Sequence, residues 1–232
     1  MNARQLPLSL RWPSHQRLDA FVAGANSHTL EAVRAVADGR SDAWLYLHGP
    51  RGSGKTHLLI GACRVALESG RTARYLPLAS LHESRAEAIA SFGAERGELL
   101  AIDDVQTIAG DANAERALFD LYNRARDARA TLLFSASASP NQIGLQLPDL
   151  VSRFSACTQH VLQPLDEAGR REVLRMRAQQ RGLEIDDAVL DWLFARQPRD
   201  LAALMDLFER LDHAALAAQR RITIPFLREM LK

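Results

Sequence analysis

Gly49-Pro50-Arg51-Gly52-Ser53-Gly54-Lys55-Thr56 satisfies every fixed position of the pattern G-x-x-x-x-G-K-[ST]. Such a loop presents consecutive backbone N–H groups to phosphate oxygens. The lysine reaches the β and γ oxygens, and the threonine hydroxyl holds Mg²⁺. Of 29 basic residues only Lys55 and Lys232 are lysine. A chain that uses arginine almost everywhere thus keeps a compact ammonium where a planar guanidinium would not fit between phosphates. The loop is therefore read as a nucleotide site for ADP or ATP with Mg²⁺, comprising residues 49–56 together with His57 just beyond them.

A second group complements the first. Leu99-Leu100-Ala101-Ile102-Asp103-Asp104 is an apolar run ending in two carboxylates, roughly 45–50 residues beyond the loop. This is a Walker B pattern, in which Asp103 orients Mg²⁺ through water and Asp104 polarises an attacking water. Leu132-Leu133-Phe134-Ser135-Ala136-Ser137 is a strand whose polar end can place a sensor near the terminal phosphate. Arg153, following a short helix begun by Pro148, and Arg199, at the start of a long helix, are candidates to approach a phosphate. The arginines at 170, 171, 175, 177 and 181 spread round one helix and read as a solvated surface.

These residues need a frame. Residues 43–48 form a buried strand that enters the glycine loop, and residues 56–67 continue as a helix whose N-terminal dipole favours an anion. Strands at 72–76, 98–102, 131–135 and 158–162 alternate with helices, one of them over 114–128. This alternation predicts βαβ units and a mostly parallel sheet. A further helix precedes the first strand, with Ser27 as its N-cap. After Gln163-Pro164 only helices follow, at 167–181, 188–196, 201–218 and from 224. The helix at 201–218 carries an apolar stripe at 201, 204, 208, 211, 215 and 218. The expected division is an N-terminal arm over 1–13, an α/β nucleotide-binding domain over 14–163 and a small all-helical lid over 164–232.

Composition narrows the function further. At 47% hydrophobic and 25% charged the chain is an ordinary globular protein, and a net charge of +1 argues against a strongly basic nucleic-acid binder. Cys63 and Cys157, both in apolar surroundings, suit a reducing cytosol. No apolar run reaches the roughly 20 residues of a membrane span, and the histidines lack metal-ligand spacing. The expected setting is cytoplasmic.

Taken in series the motifs resemble the AAA+ ATPases, and more narrowly the family of the bacterial replication initiator DnaA. The matching stretches are Phe21-Val22-Ala23-Gly24-Ala25-Asn26, the phosphate loop, Ile102-Asp103-Asp104-Val105-Gln106, Leu121-Tyr122-Asn123, Leu147 to Phe154 and Arg199-Asp200-Leu201. The resemblance covers roughly residues 14–232. It implies that Arg153 is an arginine finger acting in trans, Arg199 a second sensor, and Phe21 and Val22 part of the base pocket. Related chains often end the sensor strand in an acid; here Ser137 stands there, which leaves Ser135 as the sensor candidate. The chain shows neither the initiator's long N-terminal region nor its DNA-reading helix-turn-helix domain, and so looks like a small homologue of the initiator.

Gln5-Leu6-Pro7-Leu8-Ser9-Leu10 resembles the hexapeptide by which such homologues hold the replication sliding clamp. An extended segment with a glutamine amide and spaced leucines can dock into an apolar groove. The family reading is thus a negative regulator of replication initiation. ADP-bound and tethered to a clamp on DNA, it would stimulate hydrolysis of the ATP carried by DnaA, with DNA contacted only through the clamp. Two alternatives stand beside it: a self-contained ATPase of the clamp-loader or helicase-loader type, and an adaptor whose nucleotide is purely structural. Nucleotide sites of this fold commonly lie between subunits, which allows a homo-oligomer.

Overall fold

The computed structural model describes residues 16–81, 84–183, 185–196, 200–218 and 223–230. Five strands, β1 (Leu45–His48), β2 (Ala73–Pro77), β3 (Leu99–Asp103), β4 (Thr131–Ala136) and β5 (Thr158–Val161), form one sheet in the order β2-β3-β4-β1-β5. Every pairing is parallel. β3 and β4 are buried along their whole length because helices cover both faces, as an all-parallel sheet requires. β5 is an edge strand, and only His160 of its four residues is buried.

Alternation along the strands sorts the core into two layers. Leu45, Leu47, Leu99, Ala101 and Leu133 face α1 (Ser27–Ala37) and α2 (Lys55–Glu68). Tyr46, Leu100, Ile102, Leu132 and Phe134 face the opposite side. There they meet α3 (Arg85–Ser91), α4 (Ala112–Asp127) and α5 (Pro148–Ser155). The α3 helix lies in a stretch, 77–97, for which the sequence pattern assigns no element. At seven residues it is too short to show a 3.6-residue period.

The first helix begins one residue away from its expected cap. Asn26 precedes α1 and Ser27 is its first residue. The Asn26 side chain does not cap the helix. Its Nδ2 donates to the Gln163 carbonyl at 2.9 Å and its Oδ1 accepts the Gln163 N–H at 2.8 Å. This reciprocal pair fastens the start of α1 to the exit of β5.

Beyond β5 the chain is helical: α6 (Glu167–Gln180), α7 (Asp187–Arg196), α8 (Leu201–Ala218) and α9 (Ile224–Met230). Asp166 caps α6 by accepting the Gly169 N–H at 2.8 Å. These helices enclose their own core of Leu174, Leu190, Leu193, Leu207, Phe208, Leu211, Phe226 and Leu227. Among the described residues no helix is long and apolar enough to cross a membrane.

Candidate nucleotide site

The glycine loop leaves β1 and runs into the first turn of α2. Gly52 and Gly54 take φ of 77° and 93°, a left-handed backbone open to glycine at little cost. Gly54 precedes α2 with no side-chain cap, so the first N–H groups of the helix have no partner within it. The buried Ser53 hydroxyl has no partner either. Lys55 is 9% exposed and donates to the carbonyls of Gly49 at 2.8 Å and Pro50 at 2.9 Å. Burial holds its pKa below the usual value, while Asp104 and Asp103 pull it back up.

Two cavities meet at this loop and share Gly52, Gly54, Leu201 and Met205. One gathers the charged and polar side chains of Arg51, Lys55, Thr56, Asp104, Gln106 and Ser137 and is the polar cavity of the two. The other is largely apolar, bordered by Phe21, Val22, His57, Leu165, Val173 and Met176, with Arg177 on its wall. Phe21 and His57 meet edge-on with ring centroids 5.3 Å apart, and His57 Nε2 lies 2.7 Å from the Arg17 carbonyl. Together the two cavities offer a place for phosphates and an adjoining place for an aromatic base.

The carboxylates differ in setting. Asp103 ends β3 at 2% exposure. Its Oδ1 accepts from the Ser135 hydroxyl and its Oδ2 from the Tyr75 hydroxyl at 2.6 Å. With both oxygens already accepting one hydrogen bond, Asp103 suits an ion held through water. Burial and Asp103 push the Tyr75 phenol far up, so it stays a donor. Asp104 takes a left-handed φ of 59°. That conformation is held from several sides. Its N–H bonds Ser135 Oγ at 2.9 Å, and its carbonyl accepts from Thr107 Oγ1 at 2.8 Å. Gln106 Nε2 donates to its Oδ1 at 2.9 Å. Backbone strain fixed in this way is common where a side chain must be aimed.

Of the residues expected at the site, Phe21, Val22, Gly52, Ser53, Gly54, Lys55, Thr56, His57, Arg51 and Asp104 border these cavities. Asp103 and Ser135 stand directly behind Asp104. Ser135 is fully buried and spends its hydroxyl on Asp103, whereas Ser137 borders the polar cavity. Arg153 lies within the last turn of α5 rather than after it, and lines neither cavity. Gln5, Leu6, Pro7, Leu8, Ser9 and Leu10 lie outside the described residues, as does Arg199.

Three features escape a reading of the sequence. Tyr75 sits in an unremarkable strand, and Gln106 is simply the residue after Val105. The α6 arginines are not simply a solvated surface. Arg171 pairs with Glu167 at 2.9 Å and Asp191 at 2.6 Å, Arg175 with Asp187, and Arg181 with Asp212. The Asp191 and Asp187 pairs link α6 to α7, and Arg181, just past the end of α6, reaches α8. Arg177 is half-buried at the apolar cavity, its pKa pushed down to about 10 by burial and by Arg181. Sequence alone carries no sign of which of five arginines turns inward.

Comparison with known proteins places this geometry. Residues 14–159 match the model of the bacterial DnaA ATPase domain, and residues 166–231 match the model of the Hda lid domain. Domain III of the replication initiation protein DnaA from Thermotoga maritima is similar with a TM-score of 0.78 at 22% identity, covering 95% of this chain and 98% of that one. AMPPCP-bound DnaA from Aquifex aeolicus gives 0.66 at 22% identity, over 84% of this chain and 65% of that chain. A RuvB variant from Thermotoga maritima gives 0.67 at 21% identity, over 92% and 70%. At such identities the structural likeness shows a shared fold.

Proposed function

Because the chain belongs to the family of bacterial DnaA ATPase domains and its C-terminal helices match the Hda lid, we propose that it is a nucleotide-bound regulator of the replication initiator DnaA. The observation that carries this is the pair of joined cavities, with Lys55, Thr56 and Asp104 at the polar end and Phe21, Val22 and His57 at the apolar end. ADP or ATP would lie with its phosphates on the glycine loop, in a core formed by residues 14–163, under a lid formed by 164–232. Thr56 and, through water, Asp103 would hold Mg²⁺, which supplies charge screening at the phosphates. Asp104 would orient water, and Arg199 would reach the nucleotide from the lid.

The regulatory step belongs to Arg153. An arginine outside its own chain's cavities suits a phosphate bound elsewhere, here the ATP of the initiator, whose hydrolysis its charge would promote. Residues 5–10 would tether the protein to the sliding clamp on DNA, raising the effective concentration of a weak protein–protein contact. The outcome is an ADP-bound, inactive initiator and no re-initiation.

The test is hydrolysis of initiator-bound ATP by purified initiator mixed with this protein, ADP and DNA-loaded clamp. Clamp-dependent stimulation should vanish when Gln5 and Leu6 are both changed to alanine. No stimulation by the wild type would reject the proposal. A self-contained ATPase is the second reading, favoured by the position of Asp104 on the polar cavity; substantial turnover without any partner would bring it forward.

A further inference from the structure

Arg153 and Tyr122 meet across two helices. The guanidinium carbon of Arg153, in α5, lies 5.6 Å from the centroid of the Tyr122 ring, in α4. Tyr122 is 8% exposed and its ring meets Trp44 edge-on at 4.6 Å between centroids. Trp44 is itself fixed, its indole N–H donating to the Ala130 carbonyl at 3.1 Å. The ring beneath the arginine therefore has little room to swing.

The electrostatics separate this arginine from Arg171, Arg175 and Arg181 of the lid, though Arg170 and Arg196 there also stand over rings. Arg171, Arg175 and Arg181 each pair with carboxylates, and those pairs hold helices together. Among the described residues no carboxylate forms an ion pair with Arg153; its charged end rests on an aromatic face. The difference matters for an external anion. A carboxylate partner would orient the guanidinium but would also neutralise it and compete with phosphate. The ring quadrupole attracts the cation and leaves its full charge in place.

The backbone carrying Arg153 is set independently. Its carbonyl accepts the Cys157 thiol at 3.5 Å, and the segment entering α5 is tied to Glu115 through the N–H groups of Gln146 and Leu147. What remains is the direction of a long side chain, and the Tyr122 ring lies beneath its charged end.

We propose that Tyr122 is a positioning residue for Arg153, an aromatic platform that holds the guanidinium ready, still fully charged, for the terminal phosphate of a nucleoside triphosphate bound by another protein. This rests on the reading of Arg153 as acting in trans. The platform works through its ring, so phenylalanine should replace it and leucine should not. A cation–π contact of this kind is worth a factor of about two to five in rate.

The experiment compares wild type, Tyr122→Phe, Tyr122→Leu and Arg153→Ala in stimulated hydrolysis of initiator-bound ATP, titrating the protein to saturation. Tyr122→Phe should match wild type. Tyr122→Leu should lower the maximal rate by about two- to fivefold with the half-saturating concentration unchanged, and Arg153→Ala should abolish stimulation. A wild-type rate for Tyr122→Leu beside an inactive Arg153→Ala would overturn the platform and leave the finger standing. Full activity of Arg153→Ala would overturn the finger itself. A Tyr122→Phe rate as low as that of Tyr122→Leu would assign the effect to the hydroxyl and overturn the proposal. Thermal midpoints and ADP binding are measured on each variant; if Tyr122→Leu does not fold, Tyr122→Met supplies similar bulk without a π face.

Discussion

The buried carboxylate of Glu115 accepts the backbone N–H of Leu147 at 2.7 Å, across 32 residues of chain. It also accepts the N–H groups of Gln146 and Gly110, each at 2.9 Å. One side chain at 1% exposure thus satisfies three backbone donors on two loops. Glu115→Ala would leave those donors without an acceptor, and the expected loss of stability is about 2–4 kcal/mol. Glu115→Gln should lose less, because its amide oxygen still accepts while its NH₂ faces donors. Urea unfolding measures both.

Lys55→Ala should abolish nucleotide binding. At a ligand concentration one hundred times Kd, binding stabilises a folded protein by about 2.7 kcal/mol. The wild type should therefore show a rise in thermal midpoint with ADP, and the variant none. A rise that survived the substitution would place the nucleotide away from the glycine loop.

Tyr75→Phe removes the hydroxyl that donates to Asp103 Oδ2 at 2.6 Å. A carboxylate oxygen that loses its donor at 2% exposure should cost about 1–3 kcal/mol. The released oxygen also becomes free to accept from metal-bound water, so the Mg²⁺-dependent part of nucleotide affinity should grow. Affinity measured with Mg²⁺ and with chelator decides; an unchanged ratio would separate Asp103 from the metal.

His160 predicts a pH dependence. It is buried against Thr29 and His28, and burial, with His28 second, lowers its pKa from the usual 6.5. The unfolded chain therefore binds this proton first as pH falls. The histidine's contribution is present above pH 6.5 and is lost progressively below it. Burial lowers His48 and His57 as well, so the effects add. The thermal midpoint without nucleotide should fall between about pH 7 and pH 5, and His160→Gln should flatten that fall. An equally steep fall in the variant would clear His160.

The glycine loop was legible because its pattern is local: consecutive backbone N–H groups need consecutive residues, whatever they hold. The central strands β3 and β4 were legible for a related reason, since strands covered on both faces run largely apolar. What sequence hides is side chains that act across the fold. Asn26 looks like a residue before a helix, yet its amide pairs with Gln163. Tyr75 and Asp103 meet only because β2 and β3 are neighbours in parallel register. Glu115 reads as one more charge on an amphipathic helix, and only the fold reveals the three donors around it.

Gly52 and Gly54 are also constrained by what packs against them. A Cβ on Gly52 would stand 2.9 Å from Asp200 Oδ1 and 3.2 Å from the Ala202 nitrogen, both at the start of the lid helix α8. One on Gly54 would stand 2.6 Å from the Phe21 ring. The loop is thus a bearing on which lid and N-terminal segment both rest, with no clearance to spare. Any load that lifts the lid must be felt by a ligand on the loop, and a ligand that stiffens the loop must resist the lid's movement by the same free energy. A partner gripping only the lid would therefore possess a handle on nucleotide affinity.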